Sequence, residues 1–435
     1  MAEKVLILGL SKSGIAAAKF AASKGYDVYL TEAKGVNEGG NPQIEELKSL
    51  GIKIECGSHS EEFINGSAYA VTSPGIPPKS EIFRRLNEKN IKIISEVEFA
   101  YLNTKTPFIA ITGTNGKTTT TALVSHILSK KFSAPVCGNI GVPPTSLIEE
   151  NHDFLVCEIS SYQAQMTEKF KAKIACWTNF TPDHIDWHGG LENYFNAKAK
   201  IFLPPQEPEF AILNAQDTKL KEFSKQCQNV IFFDDGNDCG IKNNSIFYKG
   251  EEIISLKDCP LVGHHNYQNI MCGIIIAKLV GMNNSDIREQ IMSFRAPEHR
   301  LEKVREMDGI TFFNDSKATN PEASIVAIDS FNNQNVALIL GGRDKNTDLT
   351  EMCHSINKHI KTVLLIGEAT ERFEENLKKN GFSNIIKEHT MEDAIDKAIS
   401  LKPDVVLLSP ACASFDMFKS YEHRGEVFKD YVLSK

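Results

Sequence analysis

Short apolar runs recur along this chain, and each gives way to a turn of Gly, Ser, Asp, Asn or Lys. The clearest are KVLILGL (4–10), FIAITGT (108–114), DFLVCEIS (153–160), ITFFNDS (310–316), NVALILGG (335–342), TVLLIGE (362–368) and DVVLLSP (404–410). Runs of this length, apolar on both faces and separated by helical segments, describe βαβ units and hence parallel sheets covered by helices. Ligands of such sheets bind outside the carboxyl ends of the strands, where the polar turns fall. The 435 residues exceed a single core. The turns TKTP (104–107) and the segment near Phe294 divide the chain into an N-terminal domain over 1–104, a central domain over 105–296 and a C-terminal domain over 297–435. The fold class is therefore α/β in three domains. The first and last are Rossmann-like, and the central one is of the phosphate-loop type with a mainly parallel sheet.

Composition narrows the function. Charged residues are 24% and the formal charge is −8. With no basic run, a nucleic-acid partner is disfavoured. No stretch approaches the ~18 apolar residues of a membrane helix, and the N-terminal apolar run is too short for a signal peptide. Ten cysteines lie scattered without C-x-x-C spacing, which suits reduced thiols in a cytoplasmic protein without a cysteine metal cluster.

The most informative turn is ITGTNGKTTTTALV (111–124). It is a strand, a glycine turn and a helix start carrying Gly-Lys-Thr, but Gly113 and Gly116 stand closer together than in the usual phosphate loop. Backbone N–H groups at Asn115, Gly116 and Lys117 are expected to face an anion at the helix N-terminus. Lys117 supplies a charge to phosphates and Thr118 a hydroxyl to Mg2+.

In the first domain Gly9 and Gly14 follow the opening strand, but Ser11 replaces the middle glycine of the dinucleotide fingerprint. Either the turn binds a nucleotide diphosphate, with Glu32 meeting a ribose, or it is a ligand-free strand–helix turn. Glu158 at a strand end and His184, beside Asp183, Asp186, Trp187 and His188, supply a carboxylate and an imidazole suited to a metal, although a histidine in such a turn also serves structure alone. Asn266 and Asn269 fall on one helix face or form its N-cap. Arg300 either neutralises phosphate or is a surface cation. NDSKATNPEA (314–323), GGRDKNTD (341–348) and SPACASFDMFKSYEHRG (409–425), with Lys317, Lys345, Tyr421 and Arg424, concentrate hydroxyls and cations in an acidic protein, which points to an anionic substrate such as a carboxylate.

In this order GTNGKTTT, HHNYQN, EHR, DSKATN and SPACASFDMFKSYEHRG resemble the Mur ligase family, ATP-dependent enzymes that add amino acids during peptidoglycan synthesis. The resemblance covers essentially the whole chain. DSKATN with the C-terminal motif is most similar to the members that add D-glutamate. It implies UDP-N-acetylmuramoyl-L-alanine, D-glutamate and ATP as substrates, an acyl phosphate intermediate, two Mg2+ ions and a monomer acting without membrane or nucleic acid.

The resemblance also implies residue roles. Gly113, Thr114, Asn115, Gly116, Lys117, Thr118, Thr119, Asn269, Arg300 and Asp315 meet ATP. Thr118, Glu158, His184 and Lys198, the last as a carbamate, hold metal. Ser13, Gly14, Glu32, Gly75, Asn139, Thr319, Lys345, Ser414 and Tyr421 meet the other substrates. Lys117, His184, Lys198 and Lys317 carry the chemistry. The first domain departs from the family pattern at Thr31–Lys34, and Tyr421 stands for an expected Phe. Competing readings are another ligase of the family, a folylpolyglutamate synthetase and, from the first segment alone, a Rossmann oxidoreductase.

Overall fold

The computed structural model describes all residues except Met1, 36–40, Val262, 296–297, 332–333 and 345–346, together with the side chains of Asp186 and Glu322. The chain forms two compact units, Met1–Asp258 with Gln268–Met292, and Cys259–Tyr267 with Ser293–Lys435.

The first unit holds two sheets. The N-terminal one contains β1 (Lys4–Leu8), β2 (Asp27–Glu32), β3 (Lys53–Cys56), β4 (Tyr69–Thr72) and β5 (Lys92–Ser95) in the order β3-β2-β1-β4-β5, all parallel. The order reverses beside β1, so the β1 and β4 turns share the crevice where such sheets bind ligands. The second sheet contains β6 (Phe108–Thr112), β7 (Val136–Gly138), β8 (Leu155–Glu158), β9 (Ile174–Trp177), β10 (Phe210–Asn214) and β11 (Val230–Phe233). It continues into β12 (Cys239–Lys242), β13 (Ser245–Tyr248) and β14 (Glu251–Ser255), in the order β14-β13-β12-β11-β10-β9-β6-β8-β7. The β12–β14 meander is antiparallel, an addition to the parallel pattern read from sequence. Its turns place Asn243 and Asn244 at φ 50° and 57°, and Lys249 and Gly250 at 47° and 84°, the left-handed pairs that close two-residue hairpins.

Two buried carboxylates weld these sheets together. The segment IKIISEVEF (91–99) divides at Ser95, whose hydroxyl accepts from Glu98 N and caps the helix Glu96–Leu102. Glu96 Oε1 accepts from Thr145 N and Oγ1 at 2.8 and 2.5 Å. Glu98 accepts from the backbone N–H of Glu168, Lys169 and Phe170 at 2.8–3.0 Å. Around them Phe20, Phe99, Tyr101, Phe108 and Phe170 pack edge to face, so one apolar core is continuous from Val5 to Trp177.

The second unit carries β15 (Glu302–Met307), β16 (Ile310–Asn314), β17 (Val336–Gly341), β18 (Thr362–Ile366), β19 (Ile385–Lys387) and β20 (Val405–Leu408) in the order β15-β16-β20-β17-β18-β19. Only β15, on the edge and unread from the sequence, runs antiparallel among these described strands. Leu338 and Leu340 face one apolar layer, Ala337 and Ile339 the other. Both faces are buried, as the continuous apolar runs require.

Burial pushes Glu96 from 4.5 up to about 7. The folded state then holds a proton that the unfolded chain has lost, and stability falls as pH rises from about 4.5 to about 7 before levelling. Glu96→Gln is expected to flatten this window, an effect on the order of 3 kcal/mol at most. Urea midpoints at pH 5 and pH 8 check it; an unchanged pH 5 to pH 8 difference in the variant contradicts the assignment.

Candidate active site

The carboxyl ends of β6 to β9 build the centre of the site. The turn after β6 is tight because Gly113 takes φ 147° and Gly116 φ 81°. A Cβ on Gly113 would lie 1.9 Å from Thr178 Oγ1, and one on Gly116 2.7 Å from Asn269 Oδ1. The helix Lys117–Leu128 begins at once, with Thr118 and Thr119 buried in its first turn. Asn179 anchors the loop: its carbonyl accepts from Thr114 N at 3.0 Å and its side-chain oxygen from Asn115 N at 2.8 Å. The Asn115 N–H, expected to face an anion, is therefore held by protein.

Lys117 Nζ folds back to donate to the Gly113 and Thr114 carbonyls at 3.0 and 2.6 Å. Lys198, on the helix Leu191–Ala199 and only 1% exposed, donates to the same Gly113 carbonyl at 2.7 Å and lies 4.9 Å from the Tyr194 ring centroid. Burial, and then the charge of Lys117, hold the Lys198 amine well below the usual lysine range. The structure thus brings together two lysines that stand 81 positions apart in the sequence.

Glu158 ends β8, paired with Ile111 on one side and Gly138 on the other. Asn139 Nδ2 donates to its Oε1 at 2.8 Å, and its Oε2 is buried without a hydrogen-bond partner among the described residues. A buried carboxylate oxygen of this kind fits a cation. Among the described residues no three His, Cys, Asp or Glu side chains are grouped to hold a metal. Mg2+, however, is commonly bound through one or two protein groups plus substrate phosphates, so the donor set fits Mg2+ held jointly with phosphate.

His184 takes φ 52°, is half-exposed, and sets Nε2 3.4 Å from Asp183 Oδ2, with its ring 5.0 Å from that of Tyr162. His188 stacks on Tyr162 and pairs with Ser161 Oγ at 2.9 Å; burial pushes its imidazole down to about 4. Tyr162 and Trp187 also line a crevice shared with Thr72, Ser73 and Pro74 of the first sheet, next to Gly75. Asn269 and Asn266 lie inside the helix His264–Leu279 and do not form its cap. Asn269 Oδ1 accepts from Thr120 Oγ1 at 3.0 Å, bracing the phosphate-loop helix.

In the β1 turn, Ser11 Oγ accepts from Gly14 N at 3.3 Å, capping the helix Lys12–Ser23, and pairs with Ser13 and Ser73 at 3.0 and 2.7 Å. A Cβ on Gly14 would lie 2.0 Å from the Gly9 carbonyl oxygen. Glu32, expected at a ribose, is engaged by the Leu10 and Lys34 N–H groups, both at 2.9 Å.

The C-terminal cluster belongs to the second unit. Asp315 Oδ2 accepts from Ser409 Oγ at 2.7 Å and Oδ1 from Leu301 N at 3.2 Å; burial pushes its carboxyl up to about 7, while Arg300 pulls the other way. Lys317 Nζ lies 5.5 Å from the Tyr421 ring centroid. Ser414 is buried, and Thr319 is half-buried. Lys345 falls outside the described residues. Sequence reading passed over Asn179, Tyr194 and the role of Arg424. Tyr194 stands four positions before Lys198, one helical turn, and that spacing was a usable signal.

Models of known families match three parts of the chain. They are a Mur ligase MurD-like N-terminal domain over 3–95, a Mur ligase middle domain over 111–277 and a Mur ligase glutamate ligase domain over 299–412. The UDP-N-acetylmuramoylalanine–D-glutamate ligase of Thermoanaerobacter pseudethanolicus is 38% identical over 99% of this chain and 98% of its own. The protein of that name from Streptococcus agalactiae serotype V is 37% identical over 98% and 96%. Among solved structures, the UDP-N-acetylmuramate-alanine ligase of Thermotoga maritima superposes with TM-score 0.62 at 20% identity, covering 99% of this chain and 100% of that one. The MurF structure of Acinetobacter baumannii gives 0.63 at 17%, covering 99% and 93%.

The glycine turn yields a stability test. Gly113→Ala combines positive φ with a steric clash, whereas Gly25→Ala, at φ 80° with nothing within 4 Å, meets only the backbone penalty. Gly25→Ala is expected to cost about 1 kcal/mol and Gly113→Ala clearly more, ~2 kcal/mol or above. Urea unfolding of both variants checks the order, and equal losses contradict it.

Proposed function

The chain belongs to the Mur ligase family, and we infer from that premise that it is the ATP-dependent ligase joining D-glutamate to the carboxylate of UDP-N-acetylmuramoyl-L-alanine in peptidoglycan precursor synthesis. The observation that carries the reading within the molecule is the convergence of Lys117 and Lys198 on the Gly113 carbonyl, together with a buried oxygen of Glu158 that has no hydrogen-bond partner among the described residues.

The chemistry follows from charge. The substrate carboxylate attacks the γ-phosphorus of ATP, the bond to the bridging oxygen breaks, and ADP leaves with the electron pair. The resulting acyl phosphate is attacked by the neutral amine of D-glutamate; the tetrahedral adduct expels phosphate and loses a proton. A carboxylate and a triphosphate repel, so positioning and neutralisation are the main tasks of the protein. Lys117 swings from the Gly113 and Thr114 carbonyls to the phosphates, and the Gly116 and Lys117 N–H groups serve the same anion. Gly113, Thr114, Asn115 and Thr119 shape this loop, and Asn269 braces it.

Thr118, Glu158, His184 and a carbamate on Lys198 would hold Mg2+, which neutralises phosphate charge when bound. The depressed basicity of Lys198 supports the carbamate, because CO2 adds to a neutral amine. Asn139 orients Glu158, and Tyr162 keeps His184 beside Asp183. Ser13, Gly14, Glu32 and Gly75 shape the crevice for the UDP-sugar. Arg300 and Asp315 are assigned to ATP, and Lys317, Thr319, Lys345, Ser414 and Tyr421 to D-glutamate.

Phosphate release from ATP with UDP-N-acetylmuramoyl-L-alanine is expected to depend on D-glutamate within a panel of amino acids. Preference for L-lysine, or no dependence on any amino acid, overturns the assignment. Lys117→Ala is expected to lower turnover far more than tenfold, since it removes a charge-assisted contact worth ~1.5–3 kcal/mol before any transition-state gain. Near-normal turnover rejects its phosphate role. Incubation with 13C-labelled CO2 is expected to give a carbamate carbon signal in the native protein that Lys198→Arg lacks; an identical signal in both moves the modification elsewhere.

A further inference from the structure

Arg424 is fully buried, 0% exposed, in the first turn of the helix Tyr421–Ser434. A cation there opposes the helix dipole and costs desolvation that a well-packed apolar side chain would avoid. Its hydrogen bonds show what offsets that cost. Nε donates to Ser316 Oγ at 2.9 Å, and Nη2 to the carbonyls of Ser316 at 2.8 Å and Cys412 at 3.0 Å. Nη1 reaches the Ala413 carbonyl at 3.4 Å. None of these acceptors is a carboxylate. Burial pushes the guanidinium down to about 10, so it stays charged at neutral pH.

The acceptors belong to two different loops, those that follow β16 and β20. The first loop carries Lys317 and Thr319, the second Ser414. Ser316 passes the connection on, since its hydroxyl donates to the Tyr421 carbonyl at 2.8 Å. The loop after β17 closes over the same group. Arg343 N donates to the Ala413 carbonyl at 2.8 Å. A Cβ on Gly342, at φ 132°, would lie 2.3 Å from that oxygen and 3.1 Å from Arg424 Nη1. Only a planar fork spans these carbonyls at once; a lysine, as a point donor, reaches one or two.

We propose that Arg424 is a positioning residue for the incoming amino acid. It ties the Ser316 and Cys412–Ala413 loops into one rigid cradle and places a buried positive charge behind the side chains that receive the two carboxylates of D-glutamate. It touches the substrate through no atom of its own. The inference rests on the D-glutamate reading given above, and goes beyond it by making recognition depend on a residue outside the contact set.

The test compares Arg424→Gln, Arg424→Lys and Ser316→Ala with the unaltered full chain, using phosphate release with ATP and UDP-N-acetylmuramoyl-L-alanine, and D-glutamate or D-glutamine as acceptor. Arg424→Gln is expected to raise the KM for D-glutamate at least tenfold while the KM values for ATP and the UDP-sugar stay within threefold. Its preference for D-glutamate over the neutral D-glutamine is expected to fall at least tenfold. Arg424→Lys keeps the charge and is expected to retain that preference within threefold while losing kcat. Ser316→Ala removes one link, and is expected to raise the D-glutamate KM three- to tenfold; it decides the matter if Arg424→Gln does not fold. An unaltered chain that does not require D-glutamate overturns the reading and the inference with it. If it does require D-glutamate, KM values for all three substrates rising together, or an unchanged D-glutamate KM in the folded variants, overturn the positioning role alone.

Discussion

One carbonyl oxygen organises the centre of the first unit. Gly113 O accepts from Lys117 Nζ at 3.0 Å and from Lys198 Nζ at 2.7 Å. As ammonium groups on one neutral acceptor the two would repel each other, and burial would amplify the repulsion because little water screens it. The arrangement persists because the loop around it is over-determined. Asn179 holds the backbone of Thr114 and Asn115, Thr178 donates to the Thr112 and Asn115 carbonyls, and Asn269 closes against Gly116. Such a loop has no room for a Cβ at either glycine. Its natural partner is a polyanion, which Lys117 can meet at the adjacent helix N-terminus.

Rigidity around this centre comes from buried carboxylates used as backbone acceptors. Glu98 collects three consecutive N–H groups and Glu96 collects Thr145. Both lie on the short helix Glu96–Leu102, so the first sheet is fixed to the second by hydrogen-bonding carboxyl groups within a continuous apolar core. A purely apolar seam would hold the sheets together but would tolerate sliding. Directional hydrogen bonds set one register. That register places the Thr72–Pro74 turn opposite Tyr162 and Trp187 and thereby defines the crevice between the sheets.

The parallel sheets were legible because strands buried on both faces must be apolar throughout, and their polar carboxyl ends then stand out. The phosphate loop was legible because its glycines, lysine and threonine occupy one contiguous stretch. The β12–β14 meander was not read, since its strands are four or five residues long and mix Lys, Glu and Ser with apolar positions; the Asn243–Asn244 turn was the available clue. Asn179 and Arg424 were hidden for a different reason. Each acts through backbone groups distant in sequence, and nothing in a residue type announces which carbonyl or N–H it will meet. Glu32 illustrates the converse. Its place at a strand end suggested a ligand, yet its two oxygens are taken by local N–H groups of its own and the neighbouring turn.

Lys198 shows how the same electrostatics can turn from liability to function. As an ammonium group it is buried beside Lys117, and desolvation together with that like charge outweighs the pull of Asp183 and Glu158, so that loss of the proton is favoured. As the carbamate proposed above it becomes an anion. The repulsion with Lys117 then becomes attraction, and an acid group joins Glu158, whose second oxygen is buried without a hydrogen-bond donor among the described residues. A carboxylate residue at this position would present its oxygens nearer the helix axis than a carbamate at the end of a four-carbon stem. The lysine length therefore has a geometric rationale: it carries Nζ, the atom that would bear the carbamate, from the helix Leu191–Ala199 across to the turn of the phosphate loop at Gly113.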